Sequence, residues 1–186
     1  ILQIDARLRD DVGHQMLLSS KASPPISTTS PHSVSRGERV SIRRRIGPDM
    51  GDLLGWVIHP GTTAWELIDR HGQQHRIDTA TILAWRRIPL IPVGRNPEHG
   101  DRSILARMLS DLTGAPVHPD QIEVARIADL VTDVGDALTL VENRTPPVGV
   151  VVAGEWCAVS DADEVVTLAA WAALHNARNV AWLSRR

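Results

Sequence analysis

Val159-Ser160-Asp161-Ala162-Asp163-Glu164 is the point where a β-strand hands over to a helix, and it decides what kind of fold the second half of the chain has. Before it, Trp156–Val159 reads as a short strand. After it, residues 164–176 place Val165, Leu168, Ala169, Ala172 and Leu174 in one apolar set, which predicts a helix. Residues 180–183 then read as a further strand. The junction itself holds three carboxylates and neither glycine nor arginine. Ser160 or Asp161 is expected to cap the helix, with Asp163 or Glu164 completing a capping box and complementing the positive end of the helix dipole.

Working upstream, residues 103–112 put Ile104, Leu105, Met108, Leu109 and Leu112 on one side of a short helix that stops at Gly114, with Pro116 beyond. Residues 121–132 carry Ile122, Ala125, Ile127 and Leu130 at a weaker amphipathic spacing and are read as a second helix. Residues 136–141 and 148–152 are read as two strands joined by Glu142-Asn143-Arg144-Thr145-Pro146-Pro147. The expected order from 101 to 186 is therefore helix, helix, strand, strand, strand, helix, strand, a mixed α/β region.

Residues 36–88 have a different rhythm. Val40, Ile42 and Ile46 sit among arginines in a first strand, and a turn is expected at Gly47-Pro48-Asp49-Met50-Gly51. Leu53-Leu54-Gly55-Trp56-Val57-Ile58 is an apolar strand closed by His59-Pro60-Gly61. Thr63–69 alternates, with Trp65, Leu67 and Asp69 on one face and Ala64, Glu66 and Ile68 on the other. Arg70-His71-Gly72-Gln73 makes a hairpin turn into residues 74–77. Asp78-Thr79-Ala80 reads as a helical turn before a last strand over 82–88. Five short strands in roughly 50 residues outline a small SH3-like β-barrel. The fold class expected for the chain is thus α+β. The Ser- and Pro-rich stretch within 1–35 reads as a flexible segment, and 89–100, with three prolines and two glycines, as a linker.

At 186 residues the chain has room for one medium domain or two small ones. Its net charge of −2 is unevenly spread: nine Arg face six acids from 36 to 88, and seven Arg face thirteen acids from 98 to 186. The single cysteine, Cys157, excludes an intrachain disulfide framework, and cytoplasmic is the default location. No apolar run reaches the roughly 20 residues that span a bilayer, and the first 18 residues lack the apolar core of a signal peptide.

Two stretches resemble a known family. Leu168-Ala169-Ala170-Trp171-Ala172-Ala173-Leu174-His175-Asn176-Ala177-Arg178-Asn179-Val180-Ala181-Trp182-Leu183 resembles the helix-to-strand segment of GNAT-fold N-acetyltransferases, and residues 137–142 and 147–154 resemble antiparallel strands of that fold. Residues 37–89, opening with Gly37, Arg39, Val40 and Arg43 and carrying Leu54-Gly55, are similar to the SH3-like domain that precedes the acetyltransferase fold in a group of actinobacterial GNAT proteins. The resemblance implies a partial GNAT-like region, acetyl-CoA as cofactor and an amine as acceptor. It further implies a pyrophosphate loop bearing glycine and arginine where this chain has its acidic junction, and another helix and two strands beyond the fifth strand. The late tyrosine acid frequent in the family has no counterpart, because the chain contains no tyrosine. The sequence accordingly reads as a truncated or degenerate relative.

The residues singled out follow from these readings. Glu142 and Glu155, near presumed strand ends, are the acid–base candidates, and Val150, Val151 and Val152 are the strand against which acetyl-CoA would lie. The alternative reading is a non-catalytic SH3-like module. In it Arg39, Arg43, Arg44, Arg45, Arg86 and Arg87 form one basic face, if the first and last strands are neighbours, and engage nucleic acid or a protein partner. Arginines on a solvated edge strand also blunt edge-to-edge aggregation. His71 and His75 have a helical metal-pair spacing but sit around a hairpin glycine, so no metal site is assigned. Cys157 is expected to be packed rather than reactive, and Trp56, Trp65 and Trp85 to be core residues of the small sheet. No membrane partner is expected.

Overall fold

The computed structural model of the chain describes residues 34–184. The expectation of a flexible segment over 1–35 falls outside these residues except at Val34 and Ser35. Val34 is buried beside Val40 and Ile42, and the Ser35 amide donates to the Glu38 carboxylate at 3.0 Å.

The architecture is α+β with two sheets. Five strands make the first: β1 (Arg39–Ile46), β2 (Asp49–Pro60), β3 (Ala64–Asp69), β4 (Gln74–Asp78) and β5 (Ile82–Arg87), in the order β4-β3-β2-β1-β5, all antiparallel. Asp78 accepts from the Ala80 amide at 2.9 Å and caps a 3-10 turn, Thr79–Thr81, which carries the chain from β4 to β5. These two outer strands are not hydrogen-bonded to each other, so the ladder is open. The turn between β1 and β2 is tighter than expected. Only Gly47 and Pro48 lie outside the strands, with Gly47 at φ +60°, so β2 runs for 12 residues.

The second region runs α1 (Arg102–Thr113), β6 (Ile122–Arg126), α2 (Ile127–Leu130), α3 (Gly135–Glu142), β7 (Val150–Ala153), β8 (Trp156–Val159), α4 (Val165–Leu174) and β9 (Asn179–Leu183). Its sheet has the order β6-β9-β8-β7. β8 and β9 are parallel and joined by α4, and the other two pairs are antiparallel. The strand, helix and strand around the acidic junction are as expected. Two expectations upstream are overturned. Residues 121–132 are a strand followed by one helical turn, because Ile122, Val124 and Arg126 pair with β9 and the ladder outweighs a weak helical period. Residues 136–141 are not a strand but helix α3, which packs Ala137 and Leu138 against α4. A short apolar run has no periodicity that distinguishes the two states.

The junction also caps differently. The Asp161 carboxylate accepts from the Asp163 amide at 2.8 Å, and the Ser160 hydroxyl donates to the Gly149 carbonyl at 3.3 Å. Glu164 is the N-cap residue and makes no side-chain cap bond, so no capping box forms.

Alternate residues of β8 and β9 face opposite sides. Ala158 and Ala181 meet Leu105 and Leu109 of α1, while Cys157, Val159 and Val180 meet α4. The same core extends into the first sheet, where Trp56, Ile58 and Ile68 are 0%, 3% and 0% exposed. The opposite face of that sheet encloses a second cluster built on Val40, Ile42, Trp65, Leu67, Ile77 and Trp85. β2 and β3 are therefore buried on both faces, and Leu90 and Ile91 of the 89–100 segment join the shared core. Among the described residues no helix is long and apolar enough to cross a membrane.

Candidate functional site

β1 and β5 pair antiparallel, with Ser41 opposite Arg86 and Val40 opposite Arg87. Adjacency alone does not gather the arginines, because a strand sends successive side chains to opposite faces. Arg39, Arg43, Arg45 and Arg86 belong to the face of Ser41. Arg44 and Arg87 belong to the face of Ile42 and Trp85.

Their surroundings divide them further. Arg43 makes a bidentate pair with Asp52 at 2.9 and 3.0 Å. Arg87 binds Glu38 at 2.7 Å and lies over the Trp85 ring. Arg39 turns inward over Trp56, with its guanidinium 5.1 Å from the ring centroid, and donates to the Pro89 carbonyl at 3.2 Å. Burial, with Arg178 close by, lowers its pKa to about 10. Its buried Nε finds no acceptor among the described residues. Arg44, Arg45 and Arg86 have no carboxylate partner among the described residues.

The β1–β2 hairpin ends in a short ribbon, with Arg45 near its tip opposite Met50 and Arg44 the last β1 residue paired with β5. β1 loses its pairing with β5 after Arg44, and β2 gains its pairing with β3 only at Gly55. Beyond Arg44 only Arg45 and Ile46 with Met50 and Asp49 pair with each other alone, and this tip exposes Ile46 (50%) and Met50 (69%).

Glu142 lies at the end of α3 on the seam between the two regions. Arg36 grips both of its oxygens, donating to Oε1 at 3.1 Å and to Oε2 at 2.6 Å, and His59 Nε2 is 3.0 Å from Oε1. The Arg36 hydrogen bond outweighs desolvation and holds the Glu142 carboxyl below the usual range. A carboxylate so held is a poor proton acceptor at neutral pH. Glu155 lies elsewhere, in the β7–β8 hairpin, where its main-chain carbonyl accepts from the amides of Arg178 and Asn179 at 2.8 and 2.9 Å. The two acids are thus not brought together. Sequence reading took His59 for a turn residue. Its partner is 83 positions away in the chain, so no local signal marks the contact.

Val150, Val151 and Val152 lie on β7, which pairs only with β8 and forms an edge of the second sheet. Val150 and Val152 pack against the shared core, and Val151 is 38% exposed on the opposite face. Cys157 is fully buried on β8, and burial pushes its thiol up to about 12. The three tryptophans are core residues as expected: Trp65 and Trp85 meet edge to face at 5.3 Å, and Trp56 donates to the Leu90 carbonyl at 2.9 Å. His75 is bound to Asp69 at 2.9 Å, and the Arg70 guanidinium donates to His71 at 3.1 Å.

Comparison of the chain with known protein families, with curated proteins and with solved structures finds no match.

Proposed function

We propose that this chain is a non-catalytic binding module that engages the phosphate backbone of nucleic acid through the β1–β2 ribbon and the adjoining surface of β5. The observation that carries the reading is the contrast among the arginines. Arg36, Arg43 and Arg87 are tied to carboxylates, whereas Arg45 and Arg86, which share the face of Ser41, stand without one among the described residues. Guanidinium groups left without an internal partner suit bidentate contact with phosphate. The reading also takes the first sheet as SH3-like, supported by five short antiparallel strands in the order β4-β3-β2-β1-β5 and a 3-10 turn before β5. A cytoplasmic setting agrees with the single buried thiol.

Fluorescence anisotropy with a labelled oligonucleotide tests it. Two neutralised phosphates give a slope of log affinity against log salt of about −1.4 to −1.8. Replacing Arg45 and Arg86 by glutamine removes most of the binding and flattens that slope. Binding that survives the double replacement, or no binding at low salt, sinks the proposal.

A second reading, an N-acetyltransferase-related chain acting with acetyl-CoA on an amine, is favoured by one feature. β8, α4 and β9 form a parallel strand–helix–strand unit beside the β7–β8 hairpin, the arrangement the GNAT resemblance leads one to expect. Under it, α4 begins where a diphosphate would meet Asp161, Asp163 and Glu164, and like charge disfavours that contact. Calorimetric titration with acetyl-CoA decides it: micromolar binding revives the enzyme reading, and no heat in the folded protein removes it.

A further inference from the structure

The described residues include one buried polar side chain, Asn179, 1% exposed at the start of β9. Its Oδ1 accepts no hydrogen bond, and a buried carbonyl oxygen left unpaired costs on the order of 1–3 kcal/mol. Natural folds place such groups where something else satisfies them.

Asn179 sits in a row. In the ladders it is paired with Trp156 on β8 and with Arg126 on β6, so all three side chains rise from one end of the sheet on the face that α1 covers. The buried Nε of Arg126 also lacks a partner. α1 begins only at Arg102, and beyond its first turn the face is roofed by the 94–101 segment instead. Two glycines clamp that roof onto the sheet. A Cβ at Gly94 would stand 2.7 Å from the Cβ of Arg178 and 2.9 Å from Asn179 Oδ1, and one at Gly100 only 2.5 Å from the Trp156 ring. The segment read from sequence as a linker thus forms the wall of a cavity of about 510 Å³, within the range of small-molecule sites.

The groups that line it divide by charge. Arg95 and His99, from the roof, are exposed cations or donors without a carboxylate partner among the described residues. Glu155 lines the cavity from the β7–β8 hairpin. Trp156 supplies an aromatic wall. Asp101 and Asn96 also line it, but their side chains are committed to local main-chain amides.

We propose that this cavity binds a zwitterionic α-amino acid or short peptide. Its ammonium group donates to Asn179 Oδ1 and Glu155, its carboxylate accepts from Arg95 and His99, and its side chain lies against Trp156. The site is separate from the β1–β2 ribbon, so either proposal stands if the other fails.

The test is a panel of the common amino acids and several dipeptides, screened by thermal shift and followed by calorimetric titration of the full chain. The proposal expects at least one to bind, and expects its N-acetylated and decarboxylated analogues to lose affinity by about tenfold or more, since each removes a charge-assisted contact. Glu155→Gln and Arg95→Gln, both at exposed positions that leave the core intact, each weaken binding by a similar factor. A panel in which nothing binds overturns the proposal. So does binding that ignores both substitutions, or a cavity that takes nucleoside monophosphates and no amino acid.

Discussion

The first sheet and the α/β region fill their interiors with different mixtures of side chains. The first relies on a few large groups: Trp65, Trp85, Ile42, Leu67 and Ile77 close one face, and Trp56 with Ile58 and Ile68 covers the other. The α/β region sets a block of small ones among leucines and isoleucines such as Leu109, Ile127, Leu138 and Leu174. Ala169, Ala170, Ala172 and Ala173 of α4, with Ala158 and Ala181 of the strands, are all at most 4% exposed. A sheet of about 50 residues has few inward positions, so each must bury a large area, and aromatic residues bury roughly 150–250 Å² apiece. A helix lying between a sheet and two further helices must approach them closely, which alanine permits. The two regions are not independent. The large residues on the outer face of β2 and β3 are the cover that the small-residue core lacks.

That interdependence is breakable at Trp56. Trp56→Ala empties the junction between the cores and also removes the bond to the Leu90 carbonyl, at an expected cost of about 3–5 kcal/mol. Urea unfolding followed by circular dichroism should show one transition moved to lower denaturant. Two transitions, one of them unmoved, would separate the regions and refute the shared core.

Overpacking probes the other side. Ala172→Leu adds volume to a fully buried position on α4 and is expected to destabilise by about 1–3 kcal/mol. If the core is as close-packed as its alanines imply, a leucine at exposed Val166 on the same helix changes stability far less.

The polar seam contributes less. A double-mutant cycle on Arg36→Met and Glu142→Gln should give a coupling of about 1 kcal/mol, because water still reaches both groups. The sign with pH is set by the depressed Glu142 carboxyl. Its folded pKa lies below its unfolded value, so its contribution is complete above the ordinary range near about 4.3 and is lost as pH falls through the folded value. The coupling should therefore fade in acid and be unchanged between neutral and mildly alkaline pH.

The smallest effect is expected for Arg43→Ala. Its pair with Asp52 is fully exposed, and its removal should leave the unfolding midpoint where it was.

Legibility varied with the strength of local pattern. The alternation in 64–69, the helix over 165–174 and the strand Trp156–Val159 could be read because burial on one face imprints a period on the sequence. The apolar run Leu54 to Ile58 was legible as a strand. Its continuity held a further message that went unread: Val57 faces one core while Trp56 and Ile58 face the other. α3 was misread because Ala137-Leu138-Thr139-Leu140-Val141 carries no decisive period. Of the site residues, arginine richness in β1 and β5 was visible, but which arginines are already paired was not.

Local pattern was enough for the class of fold, the change from an all-β to a mixed region near residue 90, and the identity of most core residues. These follow from local propensity and from which side chains avoid water. The folded chain alone reveals that β6 pairs with β9, that His59 and Arg36 converge on Glu142, and that Asn179, Trp156 and the 94–101 segment enclose one cavity. Such contacts join residues tens of positions apart. They are settled by packing and by the geometry of the ladders, which no short window of sequence encodes.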